Sequence, residues 1–354
     1  LSGADVVPAA SLLEVTAHLA GRERIDLARP TDPESDAGQS PDLADVKGQQ
    51  HAKRALEIAA AGNHNLLMIG PPGTGKSMLS RRLPGQLPTM SNSEALETAA
   101  VKSNAGMPTI AAQWRRRPFR APHHTASAAA LVGGGPKLSP GEISRAHNGV
   151  LFLDELPEFN RNVLEALREP METGSITIAR AGMQAEFPAR FQLVAAMNPC
   201  PCGYLGDSKS DCRGSGDRVE SHRNKITGPL LDRIDLHVEV MRPSTEMLRD
   251  GDPDGENSAT VAARVAHVWH QQIERSGVAN ARLEGQALAA ACEIDGQCWS
   301  LLERAAERFN LSARAHQRVL RVSRTIADLA GDRKIAPSHV AEALSLRCLD
   351  RRLY

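Results

Sequence analysis

The chain predicts an α/β domain built on a parallel sheet, followed by a domain made only of helices. Three observations lead there. From about Asp42 to Val240, short continuous apolar runs alternate with helical patterns, as expected of strands buried on both faces. Three of these runs end in residues able to handle charge. NLLMI (65–69) enters GPPGTGKS, VLFL (150–153) enters Asp154-Glu155, and FQLVAAM (191–197) ends in Asn198. Beyond residue 258 the apolar positions follow helical spacing. Val261, Val265, Val268, Trp269 and Ile273 share a face, and Ala305 to Leu329 continues the pattern.

In chain order, Ala10–Leu19 reads as a short amphipathic helix, and the Pro- and Asp-rich stretch that follows reads as a linker up to residue 41. The α/β block spans 42–245. Turn formers clustered in RDGDPDGENS (249–258) place a second linker at 246–258, and the helical domain takes 259–354. A length of 354 residues suits about two or three domains. Lys plus Arg equals Asp plus Glu at 42 each, so any nucleic-acid site must be local. No apolar run reaches membrane-spanning length and no signal-peptide pattern opens the sequence, which gives the expectation of a cytoplasmic protein without a membrane partner. Leu1 in place of Met reads as the start of a fragment or processed chain.

GPPGTGKS (70–77) matches G-x-x-x-x-G-K-[ST], a loop that wraps nucleotide phosphates. Gly70, Gly73 and Gly75 let the backbone turn and aim N–H groups at phosphate oxygens, with Pro71, Pro72, Thr74 and Met78 completing the cradle. Lys76 reaches the β- and γ-phosphates, Ser77 ligates Mg²⁺, and a helix opening over Ser77–Arg82 adds its dipole. A strand ending in Asp154-Glu155 beside the loop strand would bring its carboxylates to the edge where ligands bind. Asp154 then holds Mg²⁺ and Glu155 polarises the attacking water. Asn198, at the tip of the third run, could orient that water. Arg314 lies in the first turn of a helix that Ser312 can cap. A cation there opposes the helix dipole, which suggests a task such as pairing with a phosphate.

These elements in order, with LLDRID around Arg233, look like an AAA+ ATPase: an αβα P-loop core with a C-terminal helical lid. The string RAPHHTASAAALVGGG…PGEISRAHNGVLFLDELPEF…PARFQLVAAMNPCPCG…GPLLDRIDLHVEV closely resembles the magnesium-chelatase-like branch known as the YifB/ComM family. The similarity runs from about Asp42 to Asp350. Residues 1–20 resemble the tail of the Lon-protease-like domain that precedes the ATPase in that family.

The resemblance assigns Lys76 and Ser77 to Walker A and Asp154 and Glu155 to Walker B. It makes Asn198 sensor 1, Arg233 an arginine finger reaching a neighbour's nucleotide, and Arg314 sensor 2. The segment from Val46 to Gln49 would lie near adenine. It implies ATP and Mg²⁺ as cofactors, a homo-oligomer closed into a hexameric ring, and single-stranded or branched DNA as partner, with branch migration in recombination during natural transformation. It also implies a helix-2 insert around 126–145 and a β-hairpin of Ser175–Ile178 and Ala185–Phe187 with its tip at Ala179–Gln184, both facing a central channel. Arg180 at that tip is the leading candidate for a DNA contact. Arg115, Arg116 and Arg117 come second, from WRRRPFRAPHH (114–124), which combines charge with stacking surface.

Cys200, Cys202 and Cys212 resemble three legs of a zinc site. Four ligands are the rule, and Gly214 stands where the family would supply another Cys. Asp211 or His222 could substitute, but a loop of reduced thiols is the preferred reading. Two rival functions remain: a magnesium-chelatase motor subunit driving metal insertion into a porphyrin, and an ATP-gated scaffold that remodels protein.

Overall fold

The computed structural model describes residues 5–28, 41–107, 113–135, 138–180, 183–206, 211–212, 214–242 and 255–350. The chain divides into two compact units, Leu1–Gly38 with Thr109–Trp114, and Gln39–Pro108 with Arg115–Tyr354. In the first, the expected helix spans Leu12–Leu19 and is capped by Ser11, whose hydroxyl accepts from the Glu14 amide. Residues 29–40 of the expected first linker, and 246–254 of the second with 243–245 before it, lie outside the described residues.

The second unit is a three-layer sandwich. Its strands are β1 (Leu66–Ile69), β2 (Phe119–Arg120), β3 (Gly133–Gly134), β4 (Ser139–Pro140), β5 (Val150–Leu153), β6 (Ser175–Arg180), β7 (Met183–Pro188), β8 (Gln192–Met197) and β9 (Leu236–Glu239). Five of them form a parallel sheet in the order β2-β5-β8-β1-β9. The three apolar runs of the sequence supply its centre, and every residue of β1, β5 and β8 is buried.

Strand alternation sorts these side chains into two cores. Leu66, Met68, Val150, Phe152, Val194 and Ala196 face the alanine-rich helix Gln50–Gly62 and the C-terminal helices. Leu67, Ile69, Leu151, Leu153, Leu193 and Ala195 face the opposite layer, with Leu156, Val163 and Leu164.

The helical domain is continuous with the first core: Val261, Val265 and Val268 of helix Ser258–Ser276 and Val319, Val322 and Ile326 of helix Ala313–Ala330 join it. Buried polar contacts fix the docking. Gln272 Nε2 donates to the Ala61 carbonyl over 3.1 Å, and the His64 ring meets the Thr325 hydroxyl at 2.8 Å. Past the last helix, the chain pairs with the sheet edge: His237 N donates to Leu346 O and Cys348 N to His237 O. Among the described residues this covers part of β9's outer edge, where unpaired backbone groups would otherwise invite association.

The two stretches expected as insertions are both folded. The first comprises helix Ala128–Val132, the β3–β4 ribbon and helix Glu142–Arg145. The second, the β6–β7 hairpin, is longer than its sequence suggested. Its pairing runs from Ser175 opposite Pro188 to Arg180 opposite Met183. Its tip therefore shrinks to residues 181–182, which lie outside the described residues. The insertions share apolar side chains, Leu131, Leu138 and Ile143 from one and Ile176, Ile178 and Phe187 from the other. Gly133 permits this approach, since a Cβ there would sit 2.7 Å from Ile178 Cδ1 and φ is +109°.

Candidate nucleotide site

Parallel strands put all their carboxyl ends on one edge, and the expected nucleotide ligands gather there. Gly70 follows β1, Asp154 follows β5, and Asn198 follows β8. The glycines of the loop serve different needs. Gly73 and Gly75 adopt φ of +78° and +89°, which favour glycine, whereas Gly70 is required because a Cβ would lie 2.1 Å from the Val240 carbonyl oxygen. Thr74 Oγ1 donates to Pro71 O over 3.0 Å and braces the turn. Gln49, held at φ 61°, donates from Nε2 to Thr74 O and Met241 O. It thus ties the 46–49 segment to the loop and to the end of β9. Met78, beyond the loop on the short helix Lys76–Ser80, is exposed.

Lys76 is buried, and its ammonium donates to Gly70 O at 2.7 Å, Pro71 O at 2.9 Å and Asn198 Oδ1 at 3.2 Å. Burial pushes its pKa down to about 8, against the upward pull of Asp154 and Glu155. Ser77 Oγ donates to Asp154 Oδ2 at 2.5 Å. This pair of hard oxygen donors suits Mg²⁺, which binds through a few protein oxygens and retains water.

Glu155 occupies left-handed backbone (φ 53°) and is half exposed; its carboxylate lies 3.0 Å from His124 Nδ1. His124 in turn stacks on His123, with ring centroids 4.1 Å apart. Sequence reasoning placed the two histidines only within the basic run WRRRPFRAPHH and missed this contact. The signal was the strand FR (119–120) just upstream: β2 pairs with β5 in parallel, so residues after β2 arrive at the edge that carries Glu155.

Arg233 and Arg314 lie elsewhere. Both flank the amino edge of the sheet, which strands of four residues separate from the carboxyl edge by about 13 Å. Arg233 donates to Pro229 O at 2.5 Å and forms a close ion pair with Glu172. Arg314 Nη2 lies 3.8 Å from the same carboxylate. Ser312 caps this helix as expected, accepting from the Ala315 amide. These residues line a cavity of about 620 Å³ that Arg190, Arg318 and Asn65 also border. Glu172 was not singled out from the sequence; it lies on helix Arg168–Thr173, remote in sequence from both arginines.

The basic run is largely committed inside the fold. Arg117 donates to Pro88 O, Asn148 O and the Glu94 carboxylate, and its guanidinium lies 5.3 Å from the Trp269 ring centre. It is therefore a structural arginine, contrary to its expected role as a DNA contact. Phe119 is part of β2 and stacks on Phe152. Arg115 donates from Nε to Met90 O yet remains exposed, as does Arg116. Arg180 closes β6, and its side chain lies outside the described residues.

Comparison with known proteins agrees with this architecture. The family model described as magnesium chelatase, subunit ChlI, matches residues 42–248, and the model of that subunit's C-terminal part matches 255–347. Competence protein ComM of Haemophilus influenzae is 50% identical over 350 residues, covering 98% of this chain and 68% of the relative. The uncharacterised protein YifB of Escherichia coli is 47% identical over 353 residues, 100% and 69% respectively. The magnesium-chelatase 38 kDa subunit of Cereibacter sphaeroides is 26% identical over 220 residues, 56% of this chain and 58% of that one.

Proposed function

The chain belongs to the YifB/ComM family of magnesium-chelatase-like AAA+ proteins, and from that premise we propose that it is an ATP-hydrolysing ring motor acting on DNA. One observation carries the reading. The phosphate loop lies at the carboxyl edge of the sheet, whereas Arg233 and Arg314 lie at the amino edge. Within one subunit they cannot meet the same γ-phosphate. In a closed head-to-tail ring, the amino edge of each subunit faces its neighbour's loop and completes it.

In this reading the loop amides and Lys76 hold the phosphates, and the 46–49 segment borders the base. Ser77 and Asp154 would hold Mg²⁺, which would supply positive charge against the β- and γ-phosphates. Glu155 accepts the proton of the attacking water, and Asn198 orients it. Arg233, with Arg314 as sensor 2, stabilises charge developing on the neighbour's γ-phosphate, an effect of about 10³–10⁵ in turnover. The domains are a Lon-like tail and linker over 1–41, the ATPase core over 42–245, a linker over 246–258 and the lid over 259–354. A hexamer would project the hairpins and their Arg180 residues, with Arg115 and Arg116, toward DNA in the channel. The near-full-length similarity to a competence protein favours branch migration of incoming DNA in the cytoplasm during natural transformation over porphyrin metallation.

The test is ATPase rate with and without branched DNA, together with subunit mixing. Arg233→Ala and Lys76→Ala should each be inactive alone and partly active together, because mixed interfaces restore one intact loop beside one intact arginine. Full hydrolysis by a dilute monomer would sink the ring, and stimulation only by a chelatase partner would replace the DNA motor.

A further inference from the structure

Cys200, Cys202 and Cys212 do not pair off; they converge. Their sulphurs form a triangle with sides of 3.3, 3.5 and 3.6 Å. A tetrahedral zinc site with Zn–S bonds of about 2.3 Å has S···S edges of about 3.8 Å. The triangle is within about half an ångström of that figure on every side, whereas a disulfide requires two sulphurs at about 2.05 Å.

The Leu205 amide donates to Cys200 Sγ over 3.3 Å. Gly203 N donates to Cys200 O over 3.0 Å, closing a turn around Pro201 and Cys202, and at φ +86° it leads the chain onward. Gly214 lies beside the cluster, next to Cys212. A Cβ built there would lie 3.6 Å from Cys212 Sγ, in ordinary contact with Val219 Cγ2, and without a left-handed backbone. Of the two substitutes the sequence offered, His222 is turned away, with Nε2 3.2 Å from Asn198 O, and Asp211 does not join the three sulphurs.

We propose that these three cysteines form a zinc site with an open fourth position filled by water or an external ligand, and that the metal fixes the loop presenting Asn198. The coupling is short. Cys200 follows Asn198 by two residues, and Asn198 Oδ1 accepts from Lys76. Gly203 packs so closely on the phosphate loop that a Cβ would meet Pro72 Cδ at 2.7 Å. A loop pinned by three thiolates holds the strand-end amide in place; a loop of free thiols can drift.

Metal binding is measured without nucleotide, so it is separable from hydrolysis. The reduced chain is titrated with Co²⁺, followed by sulphur-to-cobalt charge-transfer bands, and its zinc content is determined by mass spectrometry. One metal per chain, lost in Cys202→Ser and retained in Cys348→Ser, is expected. Gly214→Cys should supply a fourth thiolate and tighten binding at least tenfold. Removing zinc with a chelator that spares magnesium should lower kcat about tenfold, the scale typical of outer supports of a site, with nucleotide Kd unchanged. No charge-transfer band at stoichiometric Co²⁺, with Gly214→Cys equally silent, would overturn the metal site. Zinc bound but kcat unaffected by its removal would overturn the link to Asn198.

Discussion

Raising the pH through 8 should weaken nucleotide binding in step with loss of the Lys76 proton. In the free chain the ammonium is buried against two carbonyls and an amide oxygen, with its pKa near 8. Bound phosphates surround the same ammonium with negative charge and raise that pKa again. The complex therefore holds more protons than the free site, and affinity falls as pH rises. With half the lysines neutral at pH 8 and about nine-tenths neutral at pH 9, apparent Kd should double and then rise about tenfold, some 1.4 kcal/mol. Binding at pH 8 should take up about half a proton. The terminal phosphate loses its second proton near pH 6, so the ligand is silent in this window. Calorimetry in two buffers of different ionisation enthalpy measures the uptake, and Lys76→Met should abolish it. Buffer-independent heats at pH 8, together with a flat Kd from pH 7.5 to 9, would show that Lys76 is charged throughout and would refute the reasoning.

Glu155→Gln should bind ATP normally and lose about 10²–10⁴ in turnover; His124→Ala, which frees the same carboxylate, should alter kcat without changing nucleotide Kd. Wild-type turnover in Glu155→Gln removes Glu155 from its role. Glu172→Ala should release Arg233 and Arg314 and lower, a few-fold, the protein concentration giving half-maximal ATPase. Loss of activity there would mean that Glu172 aims the arginine rather than restraining it. One phosphate contact per subunit in a ring of about six gives a log–log salt slope near −5 on duplex DNA. Arg180→Ala should flatten that slope while leaving basal hydrolysis intact, and an unchanged slope takes Arg180 off the DNA.

The parts of this site that could be read from the sequence are those whose spacing is local. GPPGTGKS needs only its own glycines and the strand before it, and Asp154-Glu155 needs only VLFL. The two cores were equally legible, because continuous apolar strands leave little choice but a parallel sheet covered on both faces. Contacts made across the fold were not. Glu172 meets Arg233 and Arg314 only because their elements end on the same edge of the sheet. His124 meets Glu155 only because two residues of β2 pair with β5. Arg117 looked like part of an exposed basic run because sequence shows charge and not the carbonyls of Pro88 and Asn148 that absorb it.

Each charged group of the proposed mechanism already has a partner inside the fold, and those partners resemble what nucleotide and neighbour would provide. Lys76 rests on carbonyl oxygens where phosphate oxygens would lie, the Ser77 hydroxyl rests on Asp154 where the two would hold Mg²⁺, and Arg233 rests on a carboxylate where a neighbour's phosphate would arrive. Loading the site thus exchanges one hydrogen bond for another. Such exchanges have small net free energies, because the bond formed replaces the bond broken. Leaving any of these buried groups without a partner would be far more costly. Stored separately, the exchanges do little; made together, they require nucleotide, metal and neighbour at once. On this physical argument, hydrolysis should depend steeply on assembly, since a subunit with only its own partners keeps every catalytic charge neutralised.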